Sequence, residues 1–194
     1  MMMRAVFLDR DGVINEDTSP DFSENLVVLP KVTDAIKKFN DLGLMVIVVT
    51  NQPSIAKGYV SEEIVIEMHE NLQKKLEKKG ARMDCFYYCP HHPETHHQDI
   101  PVDRMKYRIE CDCRKPKPGM ILQAAKDHRI EIRSSFLVGD HDRDINAGKA
   151  AGCTTIKVEK NGKRSFNESG DNKSDFSCRD LYEAALLIEK LVRR

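Results

Sequence analysis

Apolar residues follow two patterns along the chain, short runs typical of strands and longer stretches with helical spacing. Five short runs are strand-like, and all but the last are almost wholly apolar: 5–8, 44–49, 85–88, 136–139 and 154–158. Runs this short, rich in β-branched and aromatic residues, are typical of strands buried on both faces of a parallel sheet. Five longer stretches carry apolar residues at helical spacing: 30–42, 61–79, 118–128, 144–151 and 179–194. Strands that alternate with helices predict βαβ units, hence an α/β fold with a parallel sheet and helices on both faces.

Two polar stretches interrupt this alternation. Residues 91–114 are rich in histidine, and residues 159–177 consist mainly of Asn, Gly, Ser, Lys and Asp. The second composition is typical of a flexible surface loop. The chain has no internal repeat, and its 194 residues suit one domain. We therefore expect a single Rossmann-like domain over residues 1–194, without a large cap domain, and with the last helix packed on the sheet edge.

Charge and composition narrow the class of protein. Lys and Arg number 31, Asp and Glu number 31, and aromatic residues make up 6% of the chain. A nucleic-acid binder usually has a basic excess and exposed aromatic residues, so this class is not expected. No stretch approaches the ~20 apolar residues of a membrane span, and the N-terminus lacks the apolar core of a signal peptide. We expect a cytoplasmic monomer that binds neither nucleic acid nor membranes.

Polar side chains follow three of the apolar runs. Asp9 and Asp11 follow the first, Thr50 the second and Asp140 the fourth. Ligands of open α/β sheets bind outside the carboxyl ends of the strands, so these groups can converge. Clustered carboxylates repel one another unless a cation intervenes, and Mg²⁺ prefers oxygen ligands. One aspartate could then attack phosphorus, while a second exchanges protons with the leaving alcohol and with water.

The alternative is that these acids are helix N-caps or turn residues, since Asp-Gly is a common turn pair. For Asp142 we favour that alternative. For Asp9 and Asp11 it is weaker, because the two acids directly follow an apolar strand and, two positions apart, point the same way.

Four segments resemble, in order, the motifs of the haloacid dehalogenase-like superfamily: Asp9-Arg10-Asp11-Gly12, Thr50, Lys115 and Gly139-Asp140-His141-Asp142-Arg143-Asp144. The resemblance implies that Asp9 is the nucleophile and Asp11 the general acid and base. It implies that Thr50 and Lys115 bind the phosphoryl group. It also implies a Mg²⁺ ion on Asp9, Asp140 and the backbone carbonyl of Asp11, with Asp144 supporting the metal site.

The cysteines suggest a second metal. Three are isolated and are expected to be small buried apolar residues: Cys85, Cys153 and Cys178. Structural disulfides are not expected in a reducing cytosol. Cys89, His91, Cys111 and Cys113 offer three sulfurs and one imidazole, the composition of a tetrahedral structural zinc site. The histidines at 92, 96 and 97 compete with His91, and four unrelated loop residues are the alternative.

The same loop resembles that of a smaller group of enzymes within the superfamily. Cys89-Pro90-His91-His92-Pro93 and Cys111-Asp112-Cys113-Arg114-Lys115-Pro116 resemble the D-glycero-D-manno-heptose 1,7-bisphosphate phosphatases, near relatives of the histidinol-phosphate phosphatases. The resemblance implies His91 as the histidine ligand, and Zn²⁺ in a loop of about residues 89–113 that takes the place of a mobile cap. It implies these substrate contacts: Asp17, Asn51, Gln52, Arg114, Lys115 and His141. Pro53, which has no backbone donor, and His141 depart from the pattern of the heptose enzymes.

The predicted activity is Mg²⁺-dependent hydrolysis of a small phosphorylated sugar through an aspartyl-phosphate. The resemblance specifies the C7 phosphate of heptose 1,7-bisphosphate, in the synthesis of nucleotide-activated heptose for lipopolysaccharide. A histidinol-phosphate phosphatase is the enzymatic alternative, and a non-catalytic zinc-binding module is the alternative of another class. Asp11 argues against the module, because binding a phosphate does not require a proton donor.

Overall fold

The structure, a computed structural model, describes residues 2–17, 26–93, 102–159 and 174–193. Within these ranges six strands form one sheet: β1 (Ala5–Leu8), β2 (Met45–Asn51), β3 (Cys85–Cys89), β4 (Phe136–Gly139), β5 (Thr154–Val158) and β6 (Phe176–Cys178). The α-helices in the same ranges are α1 (Val32–Asp41), α2 (Glu62–Glu77), α3 (Gly119–His128), α4 (Asp142–Ala151) and α5 (Leu181–Val192). Short 3₁₀ helices cover Val102–Tyr107 and Ile132–Ser134.

The strands run parallel in the order β3-β2-β1-β4-β5-β6. The first strand lies in the middle, and its Leu8 pairs with Val48 on one side and Val138 on the other. Strand order therefore reverses between β1 and β4, where open α/β sheets bind their ligands outside the carboxyl ends. The predicted parallel α/β sheet is confirmed, and the polar residues after β1, β2 and β4 meet at this edge.

Alternate residues of β1 are buried against different helices. Val6 and Leu8 share a core with α1, α2 and α5, whereas Ala5 and Phe7 share one with α3 and α4. All four side chains are fully buried. A strand has a side-chain period of two, so only a strand covered on both faces is apolar at every position. The prediction of helices on both faces is confirmed.

The sequence pattern missed the edge strand. The polar composition of residues 159–177 predicts a loop to its end, but Phe176 pairs with Ile156 as β6 begins. A carboxylate oxygen of Asp175 accepts hydrogen bonds from the N–H and the hydroxyl of Thr155, both at 2.7 Å. Three residues are too few for a periodic signal, so the start of β6 depends on this side-chain contact. Residues 160–173 of the expected loop lie outside the described ranges.

The last helix covers more of the sheet than its sequence predicts. Leu181, Ala184, Ala185 and Ile188 of α5 are buried in the same core as α1, β4 and β5. The helix therefore packs beside α1 on one face, and not only on the sheet edge. Among the helices of the described residues, none is long and apolar enough to cross a membrane.

Candidate active site

A tight turn follows β1 and places Asp9 at the edge of the sheet. The N–H of Asp9 donates to the carbonyl of Val138 at 3.0 Å, which extends the pairing of β1 with β4. Gly12 then adopts a φ of +85°, and a Cβ built on it would lie 2.4 Å from Oδ2 of Asp140. The carboxylate that follows β4 therefore packs directly against the backbone of the turn after β1.

Lys115, in the loop before α3, contacts both Asp9 after β1 and Asp144 in α4. Its Nζ lies 2.9 Å from Oδ1 of Asp9 and 2.6 Å from Oδ1 of Asp144. It also donates to the carbonyl of Val49 at 2.8 Å. Burial alone would lower the pKa of Lys115, but the two carboxylates raise it above its usual value. The lysine is therefore a buried cation held between two acids.

Burial raises the pKa of the Asp9 carboxyl, although the charge of Lys115 opposes this effect. A single lysine shared with Asp144 does not fully compensate the loss of water around Asp9. A second cation beside this carboxylate would lower its pKa and keep it ionised.

Asp140 provides the clearest indication of such a cation. It is 8% exposed, and neither of its carboxylate oxygens accepts a hydrogen bond from a described residue. Nδ1 of His141 lies 2.8 Å from Oδ1, and this contact with Asp140 raises the pKa of His141. Oδ2 has no hydrogen-bond partner among the described residues, and a buried carboxylate that is only partly compensated is costly unless a further cation binds it. The oxygen-rich donor set of Asp140 and the nearby aspartates fits Mg²⁺.

The end of β2 contributes three polar side chains with different partners. Oγ1 of Thr50, 1% exposed, accepts from Nε2 of Gln52 at 2.9 Å. The same Gln52 nitrogen donates to Oδ2 of Asp11 at 3.0 Å. Asn51 instead pairs with the backbone of Lys115: its Nδ2 donates to the carbonyl and its Oδ1 accepts from the N–H, both at 3.0 Å. Asn51 therefore fixes the loop that carries Lys115.

Asp11 is surrounded by donors. Nε and Nη2 of Arg10 donate to its carboxylate at 3.0–3.2 Å, and Nδ2 of Asn15 donates at 2.9 Å. Burial alone would raise the pKa of Asp11, but the charge of Arg10 and the hydrogen bonds from Asn15 and Gln52 lower it overall. Sequence reasoning gave no role to Arg10. The available signal was a cation placed between two acids immediately after a buried strand.

The Cys/His loop brings its four predicted ligands together. The ligand atoms of Cys89, His91, Cys111 and Cys113 all lie within 4.8 Å of one another. Sγ of Cys113 is 3.1 Å from that of Cys89, 3.4 Å from that of Cys111 and 3.3 Å from Nδ1 of His91. Four donors around one point fit a tetrahedral ion with Zn–S bonds of about 2.3 Å. The cluster could therefore hold zinc.

The thiols of the cluster affect one another's protonation. Contacts with Cys89, His91 and Cys111 lower the pKa of the Cys113 thiol, whereas the contact with Cys113 and burial raise that of Cys89. The thiolate is the form that binds metals. Of the competing histidines, His92 lies outside this cluster, and the histidines at 96 and 97 lie outside the described residues.

Two of the remaining predicted contacts, Arg114 and His141, hydrogen-bond to other predicted site residues. Nη1 of Arg114 donates to the carbonyl of His91 at 3.1 Å, so the arginine is attached to the Cys/His loop. His141 precedes α4, and its N–H donates to Oδ2 of Asp144 at 3.0 Å. Asp142 is exposed and pairs with Lys157 at 2.8 Å; it is the first residue of α4, and His141 occupies the N-cap position. Asp17 is described, but residues 18–20 beside it are not.

Comparison with known proteins identifies the family. A family model described as HAD-hydrolase-like matches residues 112–184. The D-glycero-beta-D-manno-heptose-1,7-bisphosphate 7-phosphatase of Pasteurella multocida is 35% identical over 191 residues, 98% of this chain and 99% of that protein. The chain belongs to the haloacid dehalogenase-like family. The Vibrio cholerae protein of the same description is a second member, 37% identical over 98% of this chain and 100% of its own.

A solved structure of the family agrees with the fold. The D,D-heptose 1,7-bisphosphate phosphatase from B. bronchiseptica, crystallised with magnesium and phosphate, has a TM-score of 0.80 and 29% identity. The match covers 97% of this chain and 99% of that one. The predicted family membership is confirmed, and so is its narrower resemblance to the heptose bisphosphate phosphatases.

Proposed function

We propose that the protein is a Mg²⁺-dependent phosphatase that removes the C7 phosphate of D-glycero-D-manno-heptose 1,7-bisphosphate. The observation that carries the phosphatase proposal is the buried contact of Asp9 with Lys115 beside the buried carboxylate of Asp140, whose Oδ2 has no hydrogen-bond partner among the described residues. This arrangement offers a nucleophile, a fixed cation and a metal site at one point of the sheet. The substrate is supported by relatives named as 7-phosphatases of this bisphosphate, which match nearly the whole chain.

In the first step an oxygen of Asp9 attacks phosphorus, and the bond between phosphorus and the sugar oxygen breaks. Asp11 donates a proton to that oxygen as it leaves. In the second step Asp11 takes a proton from water, which attacks the aspartyl-phosphate and restores Asp9. Lys115 and the hydroxyl of Thr50 stabilise the charge on the equatorial oxygens of the transferring group.

The chain's own residues would hold both metals. Asp9, Asp140 and the backbone carbonyl of Asp11 would hold Mg²⁺, which supplies positive charge beside the phosphoryl oxygens. Asp144 would act through Lys115, which it contacts directly.

Cys89, His91, Cys111 and Cys113 would hold a structural Zn²⁺ that shapes the loop before Lys115. The guanidinium of Arg114, attached to this loop, would hold the second phosphate of the substrate, because its planar donors suit an oxyanion. Other proposed substrate contacts are Asp17, Asn51, Gln52 and His141.

We further propose that residues 1–194 form one phosphatase domain that acts as a cytoplasmic monomer. Sedimentation equilibrium tests the monomer directly, and a dimer mass at micromolar concentration would overturn that part of the proposal.

The test of the mechanism is Asp9→Asn, with Asp142→Asn as the matched control. Both changes replace one carboxylate by an amide, but Asp142 is exposed and contacts Lys157. Phosphate release should fall to background in Asp9→Asn and stay within about twofold of wild type in Asp142→Asn. Full activity of the Asp9 variant would exclude Asp9 as the nucleophile.

The test of the substrate is a panel compared by kcat/KM with the wild-type protein. It contains both anomers of heptose 1,7-bisphosphate, because a relative from Photorhabdus laumondii, 39% identical over 160 residues, is named for the alpha form. It also contains histidinol phosphate and nucleoside monophosphates. A higher kcat/KM for histidinol phosphate would replace the sugar assignment and leave the mechanism standing. If no compound released phosphate, a non-catalytic zinc-binding module would become the better interpretation.

A further inference from the structure

Arg10 is a fully buried guanidinium whose two sides contact different residues. Nε and Nη2 donate to the carboxylate of Asp11, and Nη1 lies 3.1 Å from Nε2 of His69. The side chain of Arg10 has no solvent exposure. Because water cannot solvate this charge, its protein partners determine where the guanidinium lies.

His69 has to be the acceptor in its contact with Arg10. A guanidinium has only donors and does not deprotonate in proteins. Nε2 of His69 must therefore carry a lone pair, and the proton of the neutral ring is on Nδ1. Burial, together with repulsion from Arg10, lowers the pKa of His69 to about 3. The imidazole thus remains an acceptor at neutral pH.

Packing fixes the ring of His69. The residue belongs to α2 and is 4% exposed. Its ring stacks on Phe86 of β3, with centroids 4.7 Å apart and planes at 18°, and lies 5.7 Å from the ring of Tyr88. The stack fixes the plane of the ring, and the contact with Nη1 of Arg10 selects the ring orientation that directs Nε2 towards it.

We propose that His69 is a positioning residue for proton transfer, which holds Arg10 so that Arg10 in turn holds Asp11. The proposal rests on the proposed function, in which Asp11 donates the proton to the leaving oxygen. The contacts run from α2 to the turn after β1 and end on Asp11, whereas Lys115 contacts Asp9. Because Arg10 favours the ionised form of Asp11, its contact fixes where the carboxyl lies and does not supply the proton. Loss of the histidine acceptor should therefore displace Asp11 and impair proton donation more than nucleophilic attack.

Impaired proton donation and impaired nucleophilic attack can be distinguished by the choice of leaving group. A sugar oxygen leaves as a poor alkoxide and needs the proton from Asp11, but 2,4-dinitrophenolate leaves without one. The value of kcat/KM covers only the steps up to release of the leaving group. It therefore excludes the later attack of water, in which Asp11 acts as the base. The ratio of kcat/KM for the two substrates measures proton donation by Asp11.

The experiment compares His69→Phe with His69→Gln on heptose 1,7-bisphosphate and 2,4-dinitrophenyl phosphate. Phenylalanine keeps a stacked ring but has no acceptor, whereas the amide of glutamine can accept at the place of Nε2. We expect His69→Phe to lower kcat/KM on the sugar by about 10- to 100-fold, part of the typical effect of a general acid. The change on the dinitrophenyl ester should be less than about threefold, and His69→Gln should restore most of the loss.

His128→Phe is the matched control, because this histidine contacts Cys85 and Tyr87 on the other side of the sheet. Its kcat/KM ratio should equal that of wild type. Arg10→Lys, which cannot contact Asp11 through two nitrogens, should show the same substrate-selective loss if His69→Phe does not fold.

Equal losses on both substrates, or no loss on either, would overturn the role of His69. Failure of the proposed function would give a different result, because the wild-type protein itself would then release phosphate from neither substrate. That result would overturn both proposals.

Discussion

At the scale of single residues, Gly12 shows how closely the acids of the site approach the backbone. Its φ of +85° is unfavourable for other residues, and a Cβ would lie 2.4 Å from Oδ2 of Asp140. Gly43 has a similar φ of +69°, but a Cβ there would meet nothing within 4 Å. Replacing either glycine would therefore strain the backbone, but only a side chain at position 12 would also meet Asp140.

We predict that Gly12→Ala and Gly43→Ala both lose about 1–3 kcal/mol of stability from backbone strain. Only Gly12→Ala should also weaken activation by Mg²⁺, by tenfold or more, because the new methyl group displaces Asp140. Urea denaturation measures the first effect, and phosphate release titrated with Mg²⁺ measures the second. Equal Mg²⁺ dependence in the two variants would show that Asp140 tolerates the methyl group.

The sequence predicted the acids of the site and some of their partners, such as Lys115 and Gln52, but not Arg10 and His69. Asp9 and Asp140 are recognisable because acidic residues follow directly on buried apolar runs. His69 lies on a helix, and its contact with Arg10 depends on how α2 packs on the sheet. No local pattern specifies that packing, so the partner of Arg10 could be found only in the structure.

At the scale of elements, Glu62 ties the Cys/His loop to the main body of the protein. The hydroxyl of Tyr88 in β3 donates to Oε1 of Glu62 at 2.7 Å. The hydroxyl of Tyr107, in the 3₁₀ helix of the loop, donates to Oε2 at 2.6 Å. Glu62 is the first residue of α2, so one carboxylate connects three elements.

We predict that Tyr107→Phe lowers the free energy of unfolding by about 1–2 kcal/mol, because it removes a buried hydroxyl's bond to a charged acceptor. Tyr87→Phe is the control, since its hydroxyl donates to Asp127 in an exposed position and its second contact, with Nε2 of His128, is longer at 3.2 Å. That change should cost less than about 0.5 kcal/mol. Chemical denaturation compares the two, and equal losses would mean that the Glu62 contact is no stronger than a surface bond.

The metal cluster gives a second prediction at this scale. Wild-type protein should contain one zinc ion per chain, and Cys113→Ser should lose it with a clear fall in Tm, because metal binding to a structural site is coupled to folding. Cys178→Ser, in β6, should keep the zinc. Metal content measured by atomic absorption and Tm measured by circular dichroism provide the test; full zinc occupancy of the Cys113 variant would contradict the ligand set.

Strand and helix types were predictable where the pattern was long, and the exceptions have a physical cause. The run at residues 44–49 is unambiguous, because every position is apolar and most are β-branched. Phe176–Cys178 joins the sheet through its backbone and is largely solvent-exposed, so burial left no apolar signature there. From its composition alone, that segment was predicted to be part of a loop.

At the scale of the whole molecule, buried ionisable groups couple stability to pH. His69 has a pKa lowered from 6.5 to about 3 by burial and by Arg10, so the unfolded chain binds a proton in this window that the folded chain does not. This histidine therefore destabilises the protein as pH falls below about 6.5. Asp9, whose pKa is raised by burial, acts in the opposite sense, because its folded form takes up a proton first.

Because these contributions oppose one another, the prediction concerns a difference between two proteins. Relative to His69→Gln, wild type should lose about 2 kcal/mol of stability between pH 7 and pH 5. Above about pH 7 the stability difference between the two proteins should be constant. Denaturant midpoints measured across this range provide the test, and parallel curves would show that His69 takes up protons equally in the folded and unfolded states.

The position of β1 in the middle of the sheet has a consequence for synthesis on the ribosome. β1 emerges first and can pair with β2 as soon as β2 has been made. Its other edge stays open until Phe136–Gly139, which forms β4, has been made. Lys115 likewise meets Asp9 before Asp144 exists to complete the charge cluster. A nascent chain that stops before β4 therefore exposes an apolar strand edge and lacks Asp140, a ligand of the proposed magnesium site. Premature termination should yield fragments that aggregate and have no residual catalytic activity. Activity is therefore expected only from chains whose synthesis has continued beyond Asp144.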